Sequence, residues 1–234
     1  MSPTPQTAVV AVVAVLALAN VLNNRLAPSA YVMTSLVTAG VLLVLLRAGG
    51  VGWGEAGLGR EAVPRGVAWG LVLVLAVAAC YLALALLPAT RDLFLDRRVG
   101  EAGTGRMAFE VFVRIPLGTV LLEELAFRGV LYALVKVEHG VVWATFVSSV
   151  LFGLWHVLPS AGISTVNPSF TRLFGTGSLG ALVAVAVTVL VMTLAGAFLC
   201  ELQRRSGSLI APAALHWATN GLGFVAAYCV INAR

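Results

Sequence analysis

Glu123, Glu124 and Arg128 stand inside the otherwise apolar run Leu121–Tyr132, LLEELAFRGVLY. Ionisable side chains are expensive within a membrane and mark a function or a partner. On a helix, Glu124 and Arg128 are i and i+4 and can pair, whereas Glu123 is turned about 100° away. Glu123 must therefore meet a partner from elsewhere in the chain. His156 closes a second apolar run, FGLWH, and His216 and Asn220 sit in a third, HWATN. Phe152 and His156 share one helical face, as do His216 and Asn220. Each polar group carries a desolvation penalty unless it is partnered, so the least costly arrangement gathers three helices around one polar pocket. A carboxylate facing two imidazoles and an amide can do hydrolytic chemistry. The carboxylate would activate a water as general base, and the donors would stabilise the oxyanion of a tetrahedral intermediate. Glutamate and histidine could also hold zinc, with water in an open position.

The elements that must position these residues are membrane helices. The 234 residues are 60% hydrophobic and only 11% charged, against about 25% charged in a soluble domain. Mean hydropathy is +0.98. The alternating ten-residue strands of a membrane barrel are absent from the sequence. The fold class is therefore all-α, a polytopic transmembrane helical bundle with the site inside it. Seven runs are candidate spans: Thr7–Leu22, Ala30–Leu46, Gly66–Leu87, Phe109–Val135, Gly140–Val157, Ser178–Leu202 and Ser208–Ile231. Ala17-Leu18-Ala19 resembles a signal-peptide cleavage site, but no positive charge precedes that run, so it reads as a retained helix. Pro116 and Gly118 are placed to kink the fourth span.

The connections are polar. Arg47–Arg65 is Gly-rich and contains Gly52-Trp53-Gly54-Glu55-Ala56-Gly57, a GxGxxG match without the strand or βαβ unit that nucleotide binding needs. It reads as a surface loop with an interfacial Trp53. Pro88–Arg106 carries both signs of charge and reads as solvated, and Leu158–Gly177 is long enough to act as a lid or rim. Cys80, Cys200 and Cys229 lie in apolar runs without metal-ligand spacing and read as small buried hydrophobes. Glu201, Arg204 and Arg205 read as interfacial anchors, and Glu138 and His139 as turn residues that meet water. The net charge of +5 is spread over short loops. It fits membrane lipid and not a nucleic-acid partner. Lys and Arg divide almost evenly between the two sets of loops and fix no orientation.

The three polar clusters together resemble a known family. Glu123-Glu124-(x)3-Arg128 is similar to the EExxxR motif of the CPBP intramembrane proteases, which include the CAAX-processing Rce1-type endopeptidases and the bacterial Abi-type bacteriocin-immunity proteins. Phe152-(x)3-His156 is similar to their FxxxH motif and His216-(x)3-Asn220 to their HxxxN motif. All three stand complete and in order within apolar segments. The resemblance covers roughly Phe109–Ile231 and divides the chain into N-terminal helices with a charged loop (1–106) and a catalytic helical core (107–234) within one membrane domain.

The resemblance implies an intramembrane endopeptidase. Glu123 would activate water with His156 assisting. His216 and Asn220 would bind the oxyanion. Glu124 and Arg128 would pair as structural support, and Phe152 would shape the pocket. Trp155 and Trp217 read as packing or interface anchors. Zinc, if used, would fall to Glu123, His156 and His216; asparagine is a poor zinc ligand, and the metal-independent glutamate mechanism is the expected one. The implied partner is a membrane-associated peptide or protein substrate. A non-catalytic scaffold or bacteriocin-immunity protein of the same fold is the alternative, and an ion or proton carrier is disfavoured by the lack of inverted repeats. The Ala-, Val- and Leu-rich, Lys-poor composition suggests a bacterial plasma membrane.

Overall fold

The computed structural model describes residues 4–95, 99, 102–161, 168–175 and 177–233, with only the backbone of residues 168–170. Among these residues every regular element is helical. Six helices are long and apolar enough to cross a membrane: α1 (Pro5–Leu26), α2 (Pro28–Ala48), α3 (Arg60–Leu86), α4 (Thr104–Ser160), α5 (Ser178–Ser206) and α6 (Ile210–Asn232). Their apolar faces remain exposed, as at Leu71, Leu75 and Leu82 of α3 and Leu182, Leu190 and Leu194 of α5. Such continuous apolar surface belongs against lipid. The chain is an integral membrane protein.

The expected seven spans become six helices because two of them, Phe109–Val135 and Gly140–Val157, are joined in α4. At 57 residues a straight α4 would be about 85 Å long, far beyond the roughly 30 Å of bilayer hydrocarbon. It is not straight. Gly140 has φ 79° and ψ 178°, a left-handed conformation that glycine adopts without steric cost. The chain doubles back there into two antiparallel arms. Ser148 Oγ donates to the Phe127 carbonyl at 2.7 Å, and the Phe127 and Phe152 rings meet edge to face at 5.3 Å.

The other helices pack around this hairpin. α1 lies against the second arm, α2 against the first, α5 along the second arm, and α6 against α3. The shared core includes Val12, Leu42, Leu46, Leu122, Leu131 and Leu134. Two glycines bring α5 close. A Cβ on Gly153 would lie 2.0 Å from Thr193 Oγ1 and 2.7 Å from the Val189 carbonyl oxygen, and one on Gly196 would lie 3.1 Å from Ser149 Cα. The position of Phe152 and His156 is thus fixed by backbone packing on α5.

The Gly-rich link between α2 and α3 is only partly a surface loop. Trp53 is exposed beneath the Arg47 guanidinium, and Glu55 pairs with Lys136 at 2.8 Å. However, Val51 and Ala56 are buried, and the Gly57 carbonyl accepts from Leu209 N at 2.9 Å. The loop turns inward to hold the start of α6, the helix of His216. The expected lid, Leu158–Gly177, falls largely outside the described residues; within it Pro168–Phe174 is helical.

Candidate active site

The first arm of α4 is wound unusually wide. It is π-helical over Glu110–Val120 and Glu124–Leu131, with one α turn at Leu121–Glu123 between. Pro116, which offers no N–H, lies inside the first wide segment. The expected kink is therefore a stretch of π winding, a feature common at functional sites. Gly118 lets the Tyr31 ring approach, where a Cβ would stand 2.8 Å away. The Tyr31 hydroxyl is 3.1 Å from Thr119 Oγ1, one turn before Glu123.

Glu123 is 4% exposed. Its Oε1 accepts from Trp155 Nε1 at 3.0 Å. Its Oε2 lies 4.0 Å from His156 Nε2 and 3.9 Å from His216 Nε2, and among the described residues no hydrogen bond reaches it. Those gaps exceed a direct hydrogen bond of about 2.7–3.2 Å and match the span of one bridging water.

The outer nitrogen of each imidazole is fixed. His156 Nδ1 is 2.8 Å from the Phe152 carbonyl oxygen. A carbonyl only accepts, so Nδ1 carries the proton and Nε2 of the neutral ring offers its lone pair toward Glu123. His216 Nδ1 donates to Glu124 Oε1 at 2.7 Å. The same oxygen accepts from Arg128 Nη1 at 3.2 Å. Arg128 is fully buried, and its guanidinium lies 3.8 Å from the centroid of the Phe152 ring. Phe152 also contacts the imidazoles of His156 and His216, at centroid distances of 4.7 and 6.4 Å. One ring thus separates the structural cation from the reacting groups.

Six of the seven residues singled out from the sequence meet here: Glu123, Glu124, Arg128, Phe152, His156 and His216. The Glu124–Arg128 pair forms as spacing indicated, and Glu123 is the carboxylate nearest His156. Asn220 is exposed, in contrast to buried His216. The helix widens into a π turn over Ala218–Leu222, within which Asn220 lies. Among the described residues no hydrogen bond joins Asn220 to the cluster.

Two relationships escaped sequence reasoning. Trp155 is more than a packing anchor, because its indole N–H holds Glu123. The available signal was that a buried Trp N–H needs an acceptor. The bond between Glu124 and His216 had no local signal at all, since the residues lie on different helices. Trp217 donates to the Val111 carbonyl at 3.0 Å and ties α6 to the first arm.

Neighbouring ligands of a tetrahedral zinc stand about 3.3 Å apart, given bonds of about 2.0–2.1 Å. Glu123 Oε2 is further than that from both imidazoles, and among the described residues no group of three His, Cys, Asp or Glu is arranged to hold a metal ion. The residues as placed do not fit direct ligation.

The family model described as Type II CAAX prenyl endopeptidase Rce1-like matches residues 106–222, half of the chain. No curated protein and no solved structure matches. The matched segment begins where the first arm of α4 begins and ends just past Asn220, so it takes in the paired glutamates, Arg128, both histidines and the helices that carry them. By that match the chain belongs to the Type II CAAX prenyl endopeptidase Rce1-like family, a family of CAAX-type intramembrane proteases.

Proposed function

We propose that this protein is an intramembrane endopeptidase that hydrolyses a peptide bond in a membrane-associated substrate, using a water activated by Glu123. The observation that carries the reading is the position of Glu123 Oε2: buried, without a hydrogen bond among the described residues, and about 4 Å from two imidazole nitrogens. A water at that point donates one proton to Oε2 and the other to His156 Nε2. Glu123 takes its proton as the water oxygen attacks the scissile carbonyl carbon. The carbonyl oxygen becomes an oxyanion. His216, whose Nδ1–H is given to Glu124, acts here as the imidazolium and donates Nε2–H to that oxygen, and Asn220 supplies a second donor from the accessible face of the same helix. Collapse of the intermediate breaks the C–N bond, and protonated Glu123 returns its proton to the leaving amine. Water-mediated spacing favours this route over zinc ligation. The substrate reaches the site from the lipid, and the host membrane is a bacterial plasma membrane.

The test is turnover of peptide substrates by the purified protein in proteoliposomes, with substrates found by comparing membrane proteomes of cells carrying wild type and Glu123→Ala. Glu123→Gln is expected to lower turnover by about 10²–10⁴-fold, the range for a positioned general base. Unchanged cleavage by Glu123→Gln would sink the mechanism. Full rescue of a deletion phenotype by Glu123→Ala would favour a non-catalytic scaffold or immunity role.

A further inference from the structure

Glu123 carries its reactive oxygen on a terminal carboxylate torsion that is intrinsically broad. Something must hold the carboxylate plane so that one oxygen meets the histidines. The Trp155 indole is the group in contact, its Nε1 at 3.0 Å from Oε1. Trp155 ends the regular helix of the second arm, where a side chain has least support from its own element. Its backbone carbonyl is also deprived. The residue four positions on is Pro159, which has no N–H to give. That carbonyl accepts instead from Asn20 Nδ2 on α1, at 2.7 Å and buried. The Asn20 amide is held in turn, because its Oδ1 accepts from Asn24 Nδ2 at 2.9 Å. The indole face rests on Phe127, edge to face at 5.9 Å.

We propose that Asn20 and Trp155 are positioning residues: α1 fixes the end of the second arm through Asn20, and Trp155 uses that fixed point to hold the Glu123 carboxylate plane, one oxygen on the indole and the other toward the histidines. α1 lies outside the family-matched segment, so part of the apparatus that orders the site comes from the N-terminal helices. The inference rests on the proposed role of Glu123.

Trp155→Phe keeps an aromatic ring against Phe127 and removes the N–H. It is expected to lower kcat about 10- to 100-fold, the scale of a small misplacement of a reacting group, while KM changes by less than about twofold. Asn20→Leu is expected to act in the same direction but less. The double variant should lose less than the product of the single losses, because both act through one indole. The hydrogen bond is also read without activity. Among the five tryptophans, the ¹⁵N indole resonance that disappears in Trp155→Phe should shift upfield in Glu123→Ala.

If Glu123→Gln is inactive while Trp155→Phe keeps full kcat, the relay is overturned and the role of Glu123 stands. If the wild type cleaves nothing, that role fails, and the indole resonance alone decides: no shift in Glu123→Ala overturns the relay. If Trp155→Phe does not fold, Asn20→Leu replaces it, and an unchanged kcat there overturns the link to α1. In that case the indole resonance is assigned from single-site labelling in the wild type.

Discussion

His216 Nδ1 and Glu124 Oε1 are 2.7 Å apart, although 92 residues separate them in the chain. The same carboxylate oxygen faces Arg128 Nη1. Glu124 therefore ties α6 to the first arm of α4 and neutralises a fully buried guanidinium. Glu123, its neighbour, does neither.

The two adjacent glutamates should accordingly fail in different ways. Glu124→Ala leaves Arg128 buried without its counter-charge, a change that typically costs about 3–5 kcal/mol. A large drop in the thermal midpoint in detergent and low yield are expected, with activity lost as a consequence. Glu123→Ala removes a carboxylate whose one oxygen already lacks a hydrogen bond and leaves the Trp155 N–H without its acceptor, at a cost of about 1–3 kcal/mol, so the midpoint should fall less than in Glu124→Ala while turnover disappears. Thermal denaturation of the two variants side by side checks this; equal midpoints would contradict the division of roles.

Gly153 precedes the motif histidine by one helical turn and faces α5. Gly153→Val places side-chain carbon where Thr193 Oγ1 and the Val189 carbonyl stand, so the second arm must move away from α5. Overpacking of this kind costs about 1–3 kcal/mol. Because Phe152 and His156 ride on that arm, turnover should fall together with the thermal midpoint. A Gly153→Val protein of wild-type stability and activity would show that close contact with α5 is not what sets the arm.

Much of this site was legible in the sequence. Glu123, Glu124, Arg128, His156 and His216 stood out because ionisable groups in apolar runs are costly, and that cost drove them together as expected. The two arms of α4 were also visible: Glu138, His139 and Gly140 break the apolar pattern where the chain reverses. What was not legible depends on winding and on hairpin register. π turns leave no periodic trace in side-chain types, so the winding around Asn220 was not foreseen. Trp155 reaches Glu123 only because Gly140 folds one arm onto the other. The burial of Val51 and Ala56 inside a Gly-rich link is a tertiary event, since small residues there read equally well as solvent-facing.

Glu123 Oε2 stands about 4 Å from each imidazole Nε2, wider than the spacing of zinc ligands. Exhaustive dialysis against a chelator is expected to leave turnover unchanged. Loss of activity that returns on adding zinc alone would replace the water-bridged glutamate mechanism with metal ligation by Glu123, His156 and His216.

The two histidines offer the sharpest separation of catalytic from structural roles. His156 is partly exposed, and its imidazole donates to the carbonyl of Phe152 in its own helix. His156→Ala loses the lone pair that faces the reacting water but breaks no tie between helices. Turnover should fall about 10²-fold or more, with a stability change within about 1 kcal/mol. His216 is buried and donates to Glu124 on another helix. His216→Ala should lose turnover as well, and it also strips a donor from a buried carboxylate, which costs about 1–3 kcal/mol. Thermal midpoints and kcat measured on both variants test the pair together. If His156→Ala proves the less stable of the two, the second arm depends on its imidazole in a way that the Phe152 hydrogen bond does not explain, and the assignment of His216 as the structural link between α6 and α4 fails.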